Sequence, residues 1–303
     1  MSPIQLFPLL AALLLAPLLR SVINRTKAWI AGRRGPPWLQ PYRDLRKLLG
    51  KGAVYSQTTT WLFRAGPVVG LATVLVAVTI VPMAGVAAPL HFSGDLVLFA
   101  YVLALGRLAT ILAALDVGSS FEAMGASREA AYSALVEPVL LLGLVSLGLV
   151  AGGYSLSLIY CGGLAVGWER SPEVVTLLAF VLFVVLLIEN ARMPIDDPTT
   201  HLELTMIHEV MVLDHGGPDL AFIEYAQALK LWLFIQLLVG IAISALAVTG
   251  WPGVVIWAIG TVAVGVVVGL VESAMARLRL VQIPQLIFGT GAVATMALLL
   301  QIV

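Results

Sequence analysis

Four charged residues lie inside or at the end of long apolar runs, where ionisable side chains are rare: Arg107, Glu137, Glu189 and Glu272. A charge at the centre of a bilayer costs about 2.5 kcal/mol or more, so such residues pair with opposite charges and mark ion or proton paths. The alternative is that the glutamates merely extend to the membrane interface. We expect Arg107 to have a carboxylate partner, and the candidates are Asp116, Glu122 and Glu137.

The histidines and the cysteine do not predict a metal centre or a catalytic group. His201, His208 and His215 recur every seven residues, a step of about 10 Å along a helix, which is too far for two of them to share an ion. No second histidine completes a zinc-binding HExxH pattern after His208. Cys161 is the single cysteine, which excludes an iron–sulfur cluster held by four thiolates of this chain. We therefore expect no metal and no catalytic residue.

The elements that must position the charges are membrane helices. Hydrophobic residues make up 60% of the 303 residues and charged residues 11%, and the mean hydropathy is +1.01. A spanning helix needs about 20 mostly apolar residues. Eight runs fit, at residues 3–23, 65–83, 96–115, 132–152, 174–188, 229–248, 253–276 and 284–303. The sequence predicts an all-α polytopic membrane protein, with eight transmembrane helices and one cytoplasmic amphipathic helix, in a single domain over residues 1–303.

The basic residues predict which side of the membrane each loop occupies. Ten of the seventeen lysines and arginines lie between residues 20 and 64. Because positive loops stay in the cytoplasm, this segment is predicted to be cytoplasmic, and counting crossings places both termini outside. We expect the first run to be a retained helix, since its basic residues follow the apolar stretch. The sidedness favours lipid headgroups or a cytoplasmic partner over nucleic acid.

Two cytoplasmic segments stand out. After the turn at residues 33–37, the segment to residue 51 alternates leucines with charges, which predicts an amphipathic helix on the membrane surface; a solvated connecting helix is the alternative. Residues 189–230 are the most acidic part of the chain, and we expect a helix within them that ends at Gly216. Their opposite charge suggests one docking platform for soluble partners. Its predicted contacts are Arg33, Arg34, Gly35, Pro36, Arg43, Asp44, Asp196, Asp197 and Glu224.

Several motifs resemble a known family of membrane subunits. They are RRGPPWLQPYRD at 33–44, LDVGSSF at 115–121, GASRE at 125–129, Glu137-Pro138, ENARMPID at 189–196 and ESAMARLRL at 272–280. They are similar to the membrane subunit beside the peripheral arm in complex I and in group 4 membrane-bound NiFe hydrogenases. The amino-acid sequences of the GASRE and ESAMARLRL motifs are more similar to those of the formate hydrogenlyase subunit 4 type than to those of the complex I branch. After Asp196 this chain continues with Asp197-Pro198, whereas the complex I branch has a longer acidic run at this place. The sequence therefore differs here from the pattern of a quinone-binding subunit.

This resemblance implies a function. The chain would anchor soluble hydrogenase subunits and couple their redox chemistry to proton or sodium movement, without catalysing a reaction alone. Nickel, iron and clusters would lie in partners, namely the hydrogenase large and small subunits, with antiporter-like membrane subunits alongside in a bacterial or archaeal plasma membrane. Acidic residues of the second segment would form the entrance of the ion path, which is expected to comprise Arg107, Glu137, Glu189, Glu203 and Glu272. The alternative is the quinone-site subunit of a complex I-type oxidoreductase.

Overall fold

The protein is built from helices that cross a membrane. A computed structural model describes residues 3–196, 206–246 and 251–301. Over these residues the chain is 76% helical without β-strands, and eight helices are long and apolar enough to span a bilayer. The predicted all-α, polytopic membrane architecture is confirmed.

The structure has twelve α-helices over the described residues. In chain order they are α1 (Pro3–Ile30), α2 (Gln40–Leu49), α3 (Trp61–Ile80), α4 (Asp95–Asp116), α5 (Ser120–Ala151), α6 (Leu156–Leu158), α7 (Leu164–Arg170), α8 (Pro172–Glu189), α9 (His208–Met211), α10 (Gly217–Ser244), α11 (Trp251–Ala274) and α12 (Gln282–Leu299). A π-helical turn, Ile159–Gly163, joins α6 to α7. The short α2 is the predicted amphipathic helix, and none of its residues is fully buried.

Three elements differ from the sequence prediction. Helix α5 begins twelve residues before the predicted run, because the charges of its first turns are paired or packed inside the protein and do not end the helix. Residues 153–173, which lie between the fourth and fifth predicted spans, contain the short helices α6 and α7. The glycines at 216 and 217 do not end a helix: Gly217 begins α10, where Pro218 suits a first turn that needs no N–H donor.

Close helix packing places the charged residues at the centre. Among the spanning helices of the described residues, α10 is the most enclosed by its neighbours, and α8 comes next. Helices α3 and α4 approach closely at Gly66, where an added Cβ would lie 2.6 Å from the Ala113 Cβ and 3.3 Å from the Ala109 carbonyl oxygen. This contact holds α4, which carries Arg107, against α3, which in turn packs on α10.

Candidate functional site

Arg107 is the centre of a buried ion-pair cluster between four spanning helices. Its guanidinium, 8% exposed, donates from Nη1 to Glu137 Oε1 at 2.7 Å and from Nη2 to both oxygens of Glu189 at 2.6 and 2.7 Å. Glu129 Oε1 lies 3.5 Å from Nε. Lys230 Nζ is 2.8 Å from Glu189 Oε2. We call these five residues the Arg107 cluster.

The cluster has more carboxylates than cations. Three carboxylates, on α5 and α8, face two cations, on α4 and α10. With every group ionised, one negative charge is uncompensated in a site where Glu189 is only 1% exposed. Burial of an unpaired charge is costly, so the set has room for one proton shared among its carboxylates.

The sequence identified part of this cluster. Glu137 is a partner of Arg107 as predicted, whereas the two other candidates have different contacts. Asp116 accepts hydrogen bonds from Thr60 and from the Phe63 amide, which fixes the start of α3. Glu122 accepts one from the Asp214 amide. Glu189 was expected in the ion path but not beside Arg107, and Glu129 and Lys230 were not predicted at all.

Glu272 belongs to a separate ion-pair group. It lies 2.9 Å from Lys27 Nζ and 3.3 Å from Arg192 Nη1, and its side chain is 2% exposed. These contacts join α1, α11 and the loop after α8. Arg192 and Lys27 also line the cavity described below, and through it Glu272 adjoins the Arg107 cluster.

Asp196 holds the acidic loop in place. It is 1% exposed, pairs with Arg277 at 3.1 Å, and accepts hydrogen bonds from the Ile207 and His208 amides at 3.0 and 3.1 Å. This geometry gives Asp196 an internal role beside the predicted docking role, which stays a prediction. The predicted residues Asp197 and Glu203, like His201, lie outside the described residues.

A polar chain links α1 to α10 and α9. Arg20 forms an ion pair with Glu224 and donates to Gln227 Oε1 at 2.6 Å. Gln227 also contacts the Nε2 atom of His208. Burial, with a contribution from the nearby Lys230 charge, lowers the pKa of His208 to about 4, so its imidazole is neutral near pH 7.

A cavity of about 370 Å³ collects these groups. The Arg107 cluster contributes to its wall, as do the Arg20 chain and the Glu272 partners. The charged and histidine side chains along it are Arg20, Lys27, Arg107, Glu129, Glu189, Arg192, Asp196, His208, Glu209, Glu224 and Lys230. We call this space the inner cavity. Such a concave polar space can hold water and pass protons between fixed groups.

A second cavity of about 330 Å³ lies between α1, α2 and α10. Its lining is mainly apolar and includes Leu45, Leu48 and Leu220. Arg20, Asn24 and Glu224 line both cavities. The Arg20–Glu224 ion pair therefore lies between the inner cavity and this space beneath the amphipathic helix.

The predicted basic docking residues lie on the surface. Arg33, Arg34, Arg43 and Asp44 are exposed. Gly35 and Pro36 pack on α1, where Arg25 Nη1 donates to the Pro36 carbonyl and an added Cβ on Gly35 would lie 2.9 Å from Arg25 Cγ. Glu224, in contrast, is engaged with Arg20. Among the described residues, groups of histidine, cysteine or carboxylate side chains that could hold a metal ion are absent.

Comparison with known proteins gives consistent matches over the full length. The sequence profile of the NADH dehydrogenase family matches residues 4–303. Formate hydrogenlyase subunit 4 of Escherichia coli (strain K12) is 35% identical over 311 aligned positions, covering 97% of this chain and 98% of that protein. Hydrogenase-4 component C of the same strain is 33% identical over 76% of this chain and 71% of its own length.

More distant matches agree on the fold. A subunit of the NADH-quinone oxidoreductase of Vesicomyosocius okutanii is 28% identical over 58% of this chain and 50% of its own length. A chain of the membrane-bound sulfane sulfur reductase, an archaeal respiratory membrane complex, superposes with a TM-score of 0.82 at 20% identity, covering 98% of both chains. At that identity the superposition supports the architecture alone.

Proposed function

The chain belongs to the NADH dehydrogenase family, and from this premise we propose that it is the membrane subunit of a multisubunit NiFe hydrogenase or formate hydrogenlyase. It anchors the soluble hydrogenase subunits and couples their redox chemistry to ion movement. The observation that carries this proposal is the Arg107 cluster, a buried group of paired charges on the wall of the inner cavity. The similarity to formate hydrogenlyase subunit 4 and hydrogenase-4 component C supports the hydrogenase assignment.

The Arg107 cluster favours a mechanism in which the ion that moves through the chain is a proton. The Arg107 cluster takes one proton from water in the inner cavity, and this proton is distributed over Glu129, Glu137 and Glu189, whose titrations are coupled to one another and to the charge of Arg107. Glu137 is 33% exposed, more than the other two. It is therefore the member that passes the proton out of the chain, towards an adjoining antiporter-like membrane subunit.

Charge movement in the soluble partner drives this transfer. A negative charge added near the inner cavity raises proton affinity there, and its removal lowers it again. Nickel, iron and the clusters belong to the hydrogenase large and small subunits, and this chain contributes fixed charges and a water-accessible path. We place the complex in the plasma membrane of a bacterium or archaeon, with both termini of this chain outside.

Docking uses the exposed basic residues at 33–47 together with the acidic segment after α8. Photocrosslinkers at Arg34 and Arg43 in intact membranes should attach to the large or small hydrogenase subunit. A matched crosslinker at Glu173, an exposed residue at the start of α8 on the opposite side, should not. Crosslinks from Arg34 and Arg43 confined to lipid or to other membrane subunits would contradict the docking proposal.

One observation favours the alternative, a quinone-site subunit. The second cavity beneath α2 has the apolar lining that a lipid-soluble ligand needs, and NADH-quinone oxidoreductase subunits are among the relatives. The Arg20–Glu224 pair between the two cavities argues against passage of a headgroup to the inner cavity. Solvent extraction of the purified complex decides: stoichiometric quinone favours the alternative, and its absence together with a nickel-containing partner favours the hydrogenase.

A further inference from the structure

A second polar cluster, which is partly buried, lies apart from the Arg107 cluster. It consists of Tyr55, Glu122, Asp214, His215 and Asp219, and we call it the Glu122 cluster. Glu122 Oε1 accepts from the Asp214 amide at 3.3 Å. The His215 imidazole stacks on Phe63, with ring centroids 4.0 Å apart and an interplanar angle of 7°. The Tyr55 phenol lies close to Asp219, which raises the pKa of Tyr55. None of these residues is part of the ion path proposed above.

Three polar atoms of this cluster are buried without a hydrogen-bond partner in the described part of the chain. They are Glu122 Oε2, His215 Nδ1 and Asp219 Oδ2, on residues that are 1%, 5% and 8% exposed. Buried polar atoms in native proteins are nearly always paired, with protein or with water. Each of these three atoms therefore needs a further partner, and water, which can both donate and accept, can provide one.

The comparison with Asp95 shows that this is not usual for a buried carboxylate of this chain. Asp95 is 0% exposed and without an ion pair in the described structure, yet it accepts from the Leu156 amide at 2.6 Å, from Ser155 at 2.8 Å and from the Phe92 amide at 3.3 Å. Glu122 has one such donor. Asp95 is satisfied by the fold, whereas Glu122 needs a further group.

The Glu122 cluster lies between the protein surface and the inner cavity. Asp214 is exposed, which gives the cluster contact with water. Asp219 precedes the cavity-lining Ile223 by one turn of α10, a rise of about 5–6 Å. Phe63, which stacks on His215, precedes the cavity-lining Pro67 by the same step on α3. The cluster is therefore one helical turn outside the cavity wall.

The segment 51–60 covers the cluster. An added Cβ on Gly217, whose φ is +55°, would lie 2.8 Å from the Gly52 carbonyl oxygen, so this segment presses directly on the start of α10. Arg64 lies over the Tyr55 ring at 4.3 Å. The cover leaves Asp214 as the exposed acidic end of the cluster.

We propose that Glu122, His215 and Asp219 form a water-containing proton-exchange site that supplies the inner cavity from the aqueous surface at Asp214. A hydronium ion or buffer acid at Asp214 transfers a proton through water to the Glu122 carboxylate, and the same proton then passes through water to the inner cavity. No bond other than O–H or N–H forms or breaks. The proposal rests on the ion path described under the proposed function, for which it names a source of protons.

The charges around His215 are consistent with a neutral imidazole that relays protons. Burial lowers the pKa of His215, and Asp219 and Asp214 oppose that shift. The other charged or titratable groups of this region are Glu122 on α5 and Tyr55 in the 51–60 segment, both within the cluster, and Arg64 on α3, which lies over the Tyr55 ring. A neutral imidazole has one nitrogen that donates and one that accepts, which is the arrangement that a proton relay through water requires.

The test is the number of ions moved per hydrogen formed, measured against pH in membrane vesicles carrying the whole complex. Glu122→Gln keeps an acceptor for the Asp214 amide, and His215→Phe keeps the ring stack on Phe63, so both preserve packing. Each variant should lower this ratio to a small fraction of the wild-type value, because loss of a positioned proton-transfer group slows proton transfer by about 10²–10⁴-fold. The loss should grow as pH rises and protons become scarcer. Glu173→Gln and His91→Gln, outside both clusters, are the matched controls and should leave the ratio unchanged.

Glu189→Gln, measured in parallel, separates failure of this inference from failure of the proposed function. If Glu189→Gln lowers the ratio at every pH and the two exchange-site variants do so increasingly at high pH, both proposals stand. If Glu189→Gln lowers it while Glu122→Gln and His215→Phe behave like the controls, the exchange site is refuted and the ion path stands. An unchanged ratio in Glu189→Gln refutes the ion path itself. As a readout apart from turnover, a carboxyl band in the infrared difference spectrum of the purified complex should titrate and be absent in Glu122→Gln; its presence in that variant would count against the site.

Discussion

Replacement of Arg107 by glutamine should destabilise the protein far more than replacement of an exposed arginine. The change removes the charge that Glu137 and Glu189 contact at 2.6–2.7 Å, and leaves their carboxylates in a buried site. Removal of one partner from a buried ion pair typically costs 3–5 kcal/mol. Lys230 still lies 2.8 Å from Glu189, so we expect the lower end, about 3 kcal/mol, or about 10²-fold in the folded-to-unfolded ratio.

The assay is thermal unfolding of the purified complex together with the yield of assembled complex in membranes. Arg64→Gln is the control, since Arg64 is exposed and contacts the Tyr55 ring at 4.3 Å, a contact of about 0.5–1 kcal/mol. The double variant Arg107→Gln with Glu137→Gln should regain part of the loss, because it removes one of the uncompensated carboxylates. Equal effects of Arg107→Gln and Arg64→Gln, or a double variant less stable than the sum of its singles, would refute this reasoning.

Three further predictions concern packing, pH and topology. Gly66→Ala should destabilise by about 1–3 kcal/mol through overpacking against Ala113 and Ala109, whereas Gly70→Ala, whose Cβ meets nothing closer than 4.0 Å, should be tolerated; equal unfolding temperatures would contradict the close approach of α3 and α4. Because the pKa of His208 falls from 6.5 in the unfolded chain to about 4 when folded, the unfolded chain binds the extra proton between these values, so stability should fall as pH falls from 6.5 to 4. His208→Gln should flatten that part of the curve, and an unchanged slope would be evidence against a buried neutral imidazole. A reporter active only outside the membrane should be active when fused after residue 303 and inactive within residues 43–51, and the reverse pattern would overturn the topology.

The membrane helices and one ion pair could be predicted from the sequence, because both follow from local composition. Apolar runs locate the spanning helices, and the cost of an unpaired charge in hydrocarbon predicts a carboxylate for Arg107, found in Glu137. The start of α5 was not predictable from the same signal. Its first turns carry Glu122 and Glu129, which end an apolar run in the sequence but are enclosed by other helices in the fold.

The remaining members of the candidate site depend on helix packing. Glu189 is 82 residues from Arg107 and Lys230 lies on yet another helix, so their meeting depends on how α4, α8 and α10 pack. The contacts of the acidic loop after α8 could not be predicted for the same reason. Asp196 looks like a surface acid in the sequence, but Arg277 and the Ile207 and His208 amides enclose it.

The central claim is that protons pass through the carboxylates of the Arg107 cluster. The most direct test is the number of ions moved per hydrogen formed in membrane vesicles carrying Glu189→Gln. This variant keeps the shape of the side chain and one acceptor for Arg107. It removes one negative charge, so the carboxylates and cations of the cluster balance and no carboxylate needs a proton. We expect normal assembly and hydrogen formation that generates little or no ion gradient. A ratio equal to that of the wild-type protein, in a fully assembled Glu189→Gln complex, would contradict the account and leave the chain as a passive anchor.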